Sequence, residues 1–181
     1  MQRFFNVERL SIYNIAFKGL KEGNHEFGFN IGKPFFENFG NSLVEDGDVH
    51  IRLVLEKRTT FMVLHINVSG EVLLNCDRCL ELYGQPIENT AKLYVKFDEN
   101  QEDSGDDIIW LTPDEYQFNV AQLIYEYVIT AVPLRHVHPH GKDGKRTCDP
   151  LMVEKLKEYR RKDIQENDER WDELKRLMNN N

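Results

Sequence analysis

Positive charge is in short supply in this 181-residue chain, where 23 Lys and Arg face 31 Asp and Glu for a formal net charge of -8. That balance argues against coating of nucleic acid through a bulk positive field. Cysteine is scarcer still: three residues, an odd number and too few for the disulfide framework of a small secreted domain. A reducing cytoplasm is the expected compartment. Long apolar runs are missing as well. The greasiest stretch, Val128 to Leu134, is broken by Thr130 and Pro133 and falls well short of the roughly 18 residues of a membrane helix. In the first 20 residues, Asn6, Glu8, Arg9 and Asn14 interrupt any apolar signal-peptide core. No Gly-x-Gly-x-x-Gly, Walker loop, His-Glu-x-x-His or Gly-x-Ser-x-Gly occurs, so standard nucleotide and hydrolase chemistries have no support in sequence.

What is present is enough apolar material, 40% of residues with 11% aromatic, to bury one good core. The excess negative charge is local. Residues 84–127 hold 2 basic and 10 acidic side chains, and the other segments together cancel. Its peak is Asp98 to Asp107, with six acids (Asp98, Glu99, Glu102, Asp103, Asp106 and Asp107) in ten residues and no apolar side chain. Like charges repel and nothing there can pack, so a solvated loop is expected. The run lacks the Asp-x-Asp-x-Asp-Gly order and closing Glu of a calcium loop.

Before that loop the periodicity is that of strands. His50 to Lys57 and Thr60 to Val68 carry β-branched and aromatic residues at near period two, with Lys57-Arg58-Thr59 as the turn between them. Ser69-Gly70 is expected to break the second run and Glu71 to Asn75 to start a third. Thr90 to Phe97 alternates, with Leu93, Val95 and Phe97 on one face and Lys92, Tyr94 and Lys96 on the other. Phe4 to Phe17 and Phe27 to Ile31 are expected to add two strands, and Pro34 to Phe39 a helical turn or two. After the loop the period becomes helical. Val120, Leu123, Ile124, Tyr127 and Val128 follow the i, i+3, i+4, i+7, i+8 pattern, with Asn119 as N-cap and Pro133 as the limit. Asp149-Pro150, a cap followed by Pro at the first helical position, opens a charged helix to about Arg161, and Trp171, Leu174, Leu177 and Met178 suggest a last one. The fold expected is α+β: a largely antiparallel sheet or partly open barrel of about six to seven strands, one short N-terminal helix and two to three C-terminal helices. Residues 1–150 are read as one β-rich domain with its helix at about 119–131, and 151–181 as a charged helical extension.

Chemistry concentrates at Cys76-Asp77-Arg78-Cys79, at the end of an expected strand. Two thiolates so spaced in a tight turn can bind one metal ion. A redox dithiol normally has its first Cys at a helix N-terminus, and here both flanks look extended. Further ligands for zinc are available from His136, His138 and Cys148, which would complete a Cys3His set. The alternative is that the cysteines are small packing residues and the histidines exposed loop residues. His25, His50 and His65 have no partner that would mark them as catalytic.

The order of these features resembles the bacterial YceD family. The string Cys76-Asp77-Arg78-Cys79-Leu80-Glu81 follows a strand, and a hairpin, an acidic loop and a helix reading Leu123-Ile124-Tyr125-Glu126-Tyr127 come next. Ala131-Val132-Pro133-Leu134 then leads to Cys148. Arg135 to Pro139 and Thr147 to Pro150 look like the Bacteroidetes branch. The resemblance runs from about residue 15 to 150. It implies a non-enzymatic role in synthesis, processing or stability of large-subunit ribosomal RNA. Many members of that family carry more cysteines after the helix, where this chain has Cys148 and histidines.

From these readings the expected partner is ribosomal RNA or a pre-ribosomal particle, met directly or through a basic protein, with no membrane and no DNA. Arg135, His140, Lys142, Lys145 and Arg146 form the candidate contact loop for RNA, because phosphate contacts need local cations. The alternative is an adaptor that docks a basic partner through the acidic residues 98–107. A zinc- or thiol-dependent enzyme ranks last, since no positioned base or open metal site can be read from spacing. The cofactor expectation is at most one structural zinc.

Overall fold

A computed structural model describes residues 10–98, 105, 107–141, 144 and 147–163, with 160–163 as backbone only. They form two compact units. One runs to Leu74 and resumes over Leu82–His136; the other joins Asn75–Glu81 to the residues from Val137 onward.

The first unit is mixed α+β. A 3-10 turn, Ser11–Tyr13, leads into the two-residue strand β1 (Asn14–Ile15), which pairs antiparallel with β7 (Phe118–Asn119). A second sheet has the order β2 (Gly23–Ile31), β3 (Gly47–Lys57), β4 (Phe61–Asn75), β5 (Leu82–Phe97), β6 (Ile108–Leu111). Helix α1 (Lys33–Phe36) follows β2, and α2 (Ala121–Ala131) packs on β5.

Alternation sets the register of the large sheet. Val49, Ile51, Leu53 and Leu55 of β3 pair with Gly70, Val68, Ile66 and Leu64 of β4, which puts one buried row on one face. Leu93 and Val95 continue that row on β5, and Ile124 and Val128 of α2 are buried with it. A one-residue slip would turn the whole row to solvent, so the apolar pattern itself fixes the pairing. Tyr13, Phe29, Phe35 and Phe39 add an aromatic cluster, closed by Phe39 stacked on Tyr125 at 4.1 Å between ring centroids. Among the described residues no helix is long and apolar enough to cross a membrane.

Several expectations change. The large sheet is an open five-stranded one, antiparallel in the β2–β3 and β3–β4 pairs as expected, but mixed, because β6 pairs parallel to β5, and it does not close into a barrel. Tyr94 faces Ile108 and Phe97 faces Leu111, so the connection after Phe97 returns the chain to the level of Tyr94 before β6 starts. Ser69-Gly70 does not break a strand. β4 runs through both, with Val49 opposite Gly70 in unbroken register. Gly70 sits at φ 151°, and a Cβ there would lie 2.3 Å from the Asp48 carbonyl oxygen. Glycine here serves close strand approach rather than a turn. The strand expected from Thr90 begins at Leu82. At the N-terminal end the long strand is replaced by the 3-10 turn and β1, with Ile12 exposed, while Phe4 lies outside the described residues. The last helix expected around Trp171 to Met178 also lies outside them.

The second unit consists of the loop between β4 and β5 and of α3 (Pro150–Asp163) with the segment leading to it. Its buried residues, among those described, are three: Cys76, Cys79 and Cys148.

Candidate metal centre

The six residues from Cys76 to Glu81 reverse the chain between β4 and β5. The Cys76 N–H donates to the Glu81 carbonyl at 2.9 Å, and the Leu80 N–H donates to the Cys76 carbonyl at 2.9 Å. Closing so short a loop forces Leu80 to φ 63°, a left-handed conformation that costs a non-glycine residue about 1–2 kcal/mol. Leu80 is also 69% exposed, so burial does not offset that strain. The turn instead directs the Cys76 and Cys79 sulfurs to one point.

The other donors come from the segment before α3. Thr147 Oγ1 donates to the Pro139 carbonyl at 3.1 Å, drawing the residues beside His138 and Cys148 together. Asp149 then starts the helix: its Oδ1 accepts from the Leu151 N–H at 3.0 Å and its carbonyl from the Val153 N–H at 3.1 Å. With Pro150 next, where a missing N–H costs nothing, the helix start is fixed directly after Cys148.

One potential donor atom from each of Cys76, Cys79, His138 and Cys148 lies within 4.8 Å of every other. Cys76 Sγ is 3.9 Å from Cys148 Sγ, and Cys79 Sγ is 3.4 Å from His138 Nδ1. A tetrahedral zinc with bonds of about 2.3 Å to sulfur and about 2.0 Å to nitrogen sets sulfurs roughly 3.8 Å apart and sulfur to nitrogen roughly 3.5 Å. The two measured edges match that tetrahedron. All three cysteines are free thiols.

Electrostatics favour a cation here. Burial raises the proton affinity of the Cys76 thiol. The N–H groups of Cys79, Arg78 and His138, with the His138 ring, outweigh that and bring its pKa down to about 6. Cys148 moves the opposite way. Burial, its contact with Cys76 and the neighbouring sulfurs of Cys76 and Cys79 hold its proton on. The charge of one thiolate holds the proton on its neighbour, and a bound divalent ion is what would let Cys76 and Cys148 both bind as thiolates.

His136, the other candidate ligand, is half-buried and is not one of the four grouped residues. Arg135 and His140 are exposed. Lys142, Lys145 and Arg146 lie outside the described residues, as do Glu99, Glu102, Asp103 and Asp106. Asp98 and Asp107 are exposed at the two ends of the acidic run. Sequence reasoning passed over Arg78, whose Nη1 is buried without a hydrogen-bond partner, and the left-handed Leu80. Neither leaves a periodicity or composition signal; only the fold of the turn reveals them.

A family model described as large ribosomal RNA subunit accumulation protein YceD matches residues 64–178. The chain belongs to the YceD family. The YceD match opens within β4 and contains Cys76, Cys79, His138 and Cys148, so the four grouped donors all fall inside the family region. Neither the curated proteins nor the solved structures gave a match.

Proposed function

We propose that this YceD protein is a non-enzymatic factor that supports accumulation of large-subunit ribosomal RNA in the cytoplasm, acting on the RNA or on a pre-ribosomal particle. The observation that carries this reading is the family match over residues 64–178. Within it, Cys76, Cys79, His138 and Cys148 serve as a structural zinc site. Zinc, when bound, supplies the positive charge that lets three thiolates share one point. The chain supplies the rest: the loop closed by Cys76 and Glu81 aims two sulfurs, and the capped start of α3 fixes the third. Four protein donors fill a tetrahedral shell and leave no position for water or substrate, which supports a structural and not a catalytic role. Because the three thiols are the buried residues among those described in their unit, the ion would stand where a hydrophobic core otherwise would.

The test is depletion of the protein in its own organism, scored for large-subunit RNA precursors and mature large-subunit RNA, with sedimentation of the tagged protein. The expected result is reduced mature large-subunit RNA and co-sedimentation with precursor particles. Normal RNA levels together with absence from those particles would overturn the reading.

A further inference from the structure

The face of the large sheet opposite the buried row carries a feature that neither the metal centre nor the core requires. On β4, β5 and β6 three aromatic rings stand on that face, each with a cation above it. Arg58 lies 5.4 Å from the centroid of Phe61, Lys92 Nζ 5.2 Å from Tyr94, and Lys96 Nζ 5.5 Å from Trp110. Phe61 and Tyr94 are neighbours, with centroids 6.4 Å apart. Lys96 and Trp110 are paired across the parallel β5–β6 ladder, which carries the row onto the next strand. The three aromatic residues are half-buried, so part of each reaches solvent. Core formation does not explain them, because Leu93, Val95 and Leu111 of the same strands already face the buried side. Cation–ring pairs are ordinary singly. Here every such pair among the described residues falls on one patch of three adjacent strands.

We infer that this Arg58, Phe61, Lys92, Tyr94, Lys96 and Trp110 face is a stacking platform for single-stranded RNA. The inference rests on the ribosomal-RNA reading above and names the surface through which RNA is met. Bases stack on rings whatever their identity, and the flexible Lys92 and Lys96 side chains that lie over the rings would swing aside for a base and meet the phosphates that join successive bases. The charge around the patch sets the character of the binding. Glu56 pairs with Arg58, and Asp107, whose carbonyl accepts the Tyr94 N–H, leads into β6 from the acidic run. Bulk attraction is therefore small and stacking dominates. With at most three phosphates neutralised, the slope of log affinity against log salt is about -2 or shallower. This differs from the contact loop expected from sequence around Lys142, Lys145 and Arg146.

The experiment uses the full chain with a fluorescent oligouridylate of about 12 nucleotides as probe, and a duplex RNA of equal length as control. Single-strand binding over duplex is expected, with a salt slope near -2. Tyr94→Ala and Trp110→Ala should each lower affinity about tenfold, and both together about a hundredfold. Tyr94→Phe and Trp110→Phe keep a ring and should retain most of the affinity; they serve as variants whose fold is least disturbed. Lys92→Gln with Lys96→Gln should flatten the salt slope by about one unit or more. In a Trp171→Phe background Trp110 is the remaining indole, and its fluorescence should be quenched on binding. No binding of the oligonucleotide, equal binding of duplex, or alanine variants that bind as tightly as the parent would overturn the platform. Capture of a basic ribosomal protein by this face in place of RNA would overturn it as well. If the platform fails while depletion still lowers large-subunit RNA, the functional reading stands without it. If RNA binds while depletion has no effect, that reading falls and the platform stays.

Discussion

The two units of this chain are held together by different physics. In the sheet unit, order comes from rows of buried aliphatic residues such as Leu53, Leu55, Leu64 and Ile66, all nearly inaccessible, with α2 on β5. Among the described residues of the other unit the buried ones are three thiols, and α3 exposes Leu151, Leu156 and Tyr159. A sheet with that much apolar burial is expected to keep its fold without a metal ion. A short loop and a helix whose described residues bury three thiols and no larger apolar side chain gain most from a staple, and a metal ion held by four donors is one. One chain thus contains a unit expected to ignore chelators and a unit expected to depend on them.

The largest effect that would sharpen this contrast is metal removal. A strong chelator, or Cys76→Ser, should abolish amide protection around residues 76–81 and 148–153 in hydrogen exchange while the β3–β4 ladder keeps its protection. Equal loss in both would erase the distinction. Next comes the reverse experiment. Leu64→Ala removes a fully buried side chain and should cost the sheet unit about 2–5 kcal/mol in denaturant unfolding, with metal content unchanged. Gly70→Ala should follow at about 1–3 kcal/mol, because the added Cβ meets the Asp48 carbonyl and the φ of 151° disfavours any side chain. Asn119→Ala removes the side chain that accepts from the Ala121 N–H at 2.9 Å and donates to the Leu10 carbonyl at 2.8 Å, and should cost about 1 kcal/mol of thermal stability. The smallest effect is at the exposed Arg52–Glu26 pair. Glu26→Gln should leave the melting temperature unchanged within error, although its hydrogen bond to Arg52 lowers the Glu26 carboxyl pKa.

The same contrast explains what could be read before the structure. Period two at residues 50–57 and 60–68 is a local signal, and apart from Thr60 both stretches lie within β3 and β4. Gly70 misled because a glycine that ends a strand and a glycine that lets two strands approach look alike in one dimension. The parallel β5–β6 pairing was hidden because direction depends on where the acidic segment returns the chain, and charge density carries no such information. For the metal centre, the spacing of Cys76 and Cys79 was sufficient to mark one half. The choice of His138 into the group of four rests on contacts across 59 residues of sequence, which no local pattern encodes. The aromatic face shows the intermediate case. Alternation put Lys92, Tyr94 and Lys96 on one side, but Phe61 and Trp110 join them only through strand pairing.

The metal content of the full chain decides whether the second unit is built around an ion. Native mass spectrometry of protein purified without added metal, beside elemental analysis, should find about one zinc per chain. That zinc should be lost in Cys148→Ser and in His138→Ala and retained in His136→Ala. A metal-free parent protein whose 76–81 loop and α3 start are protected from exchange to the same degree with and without added zinc would contradict a metal-built unit.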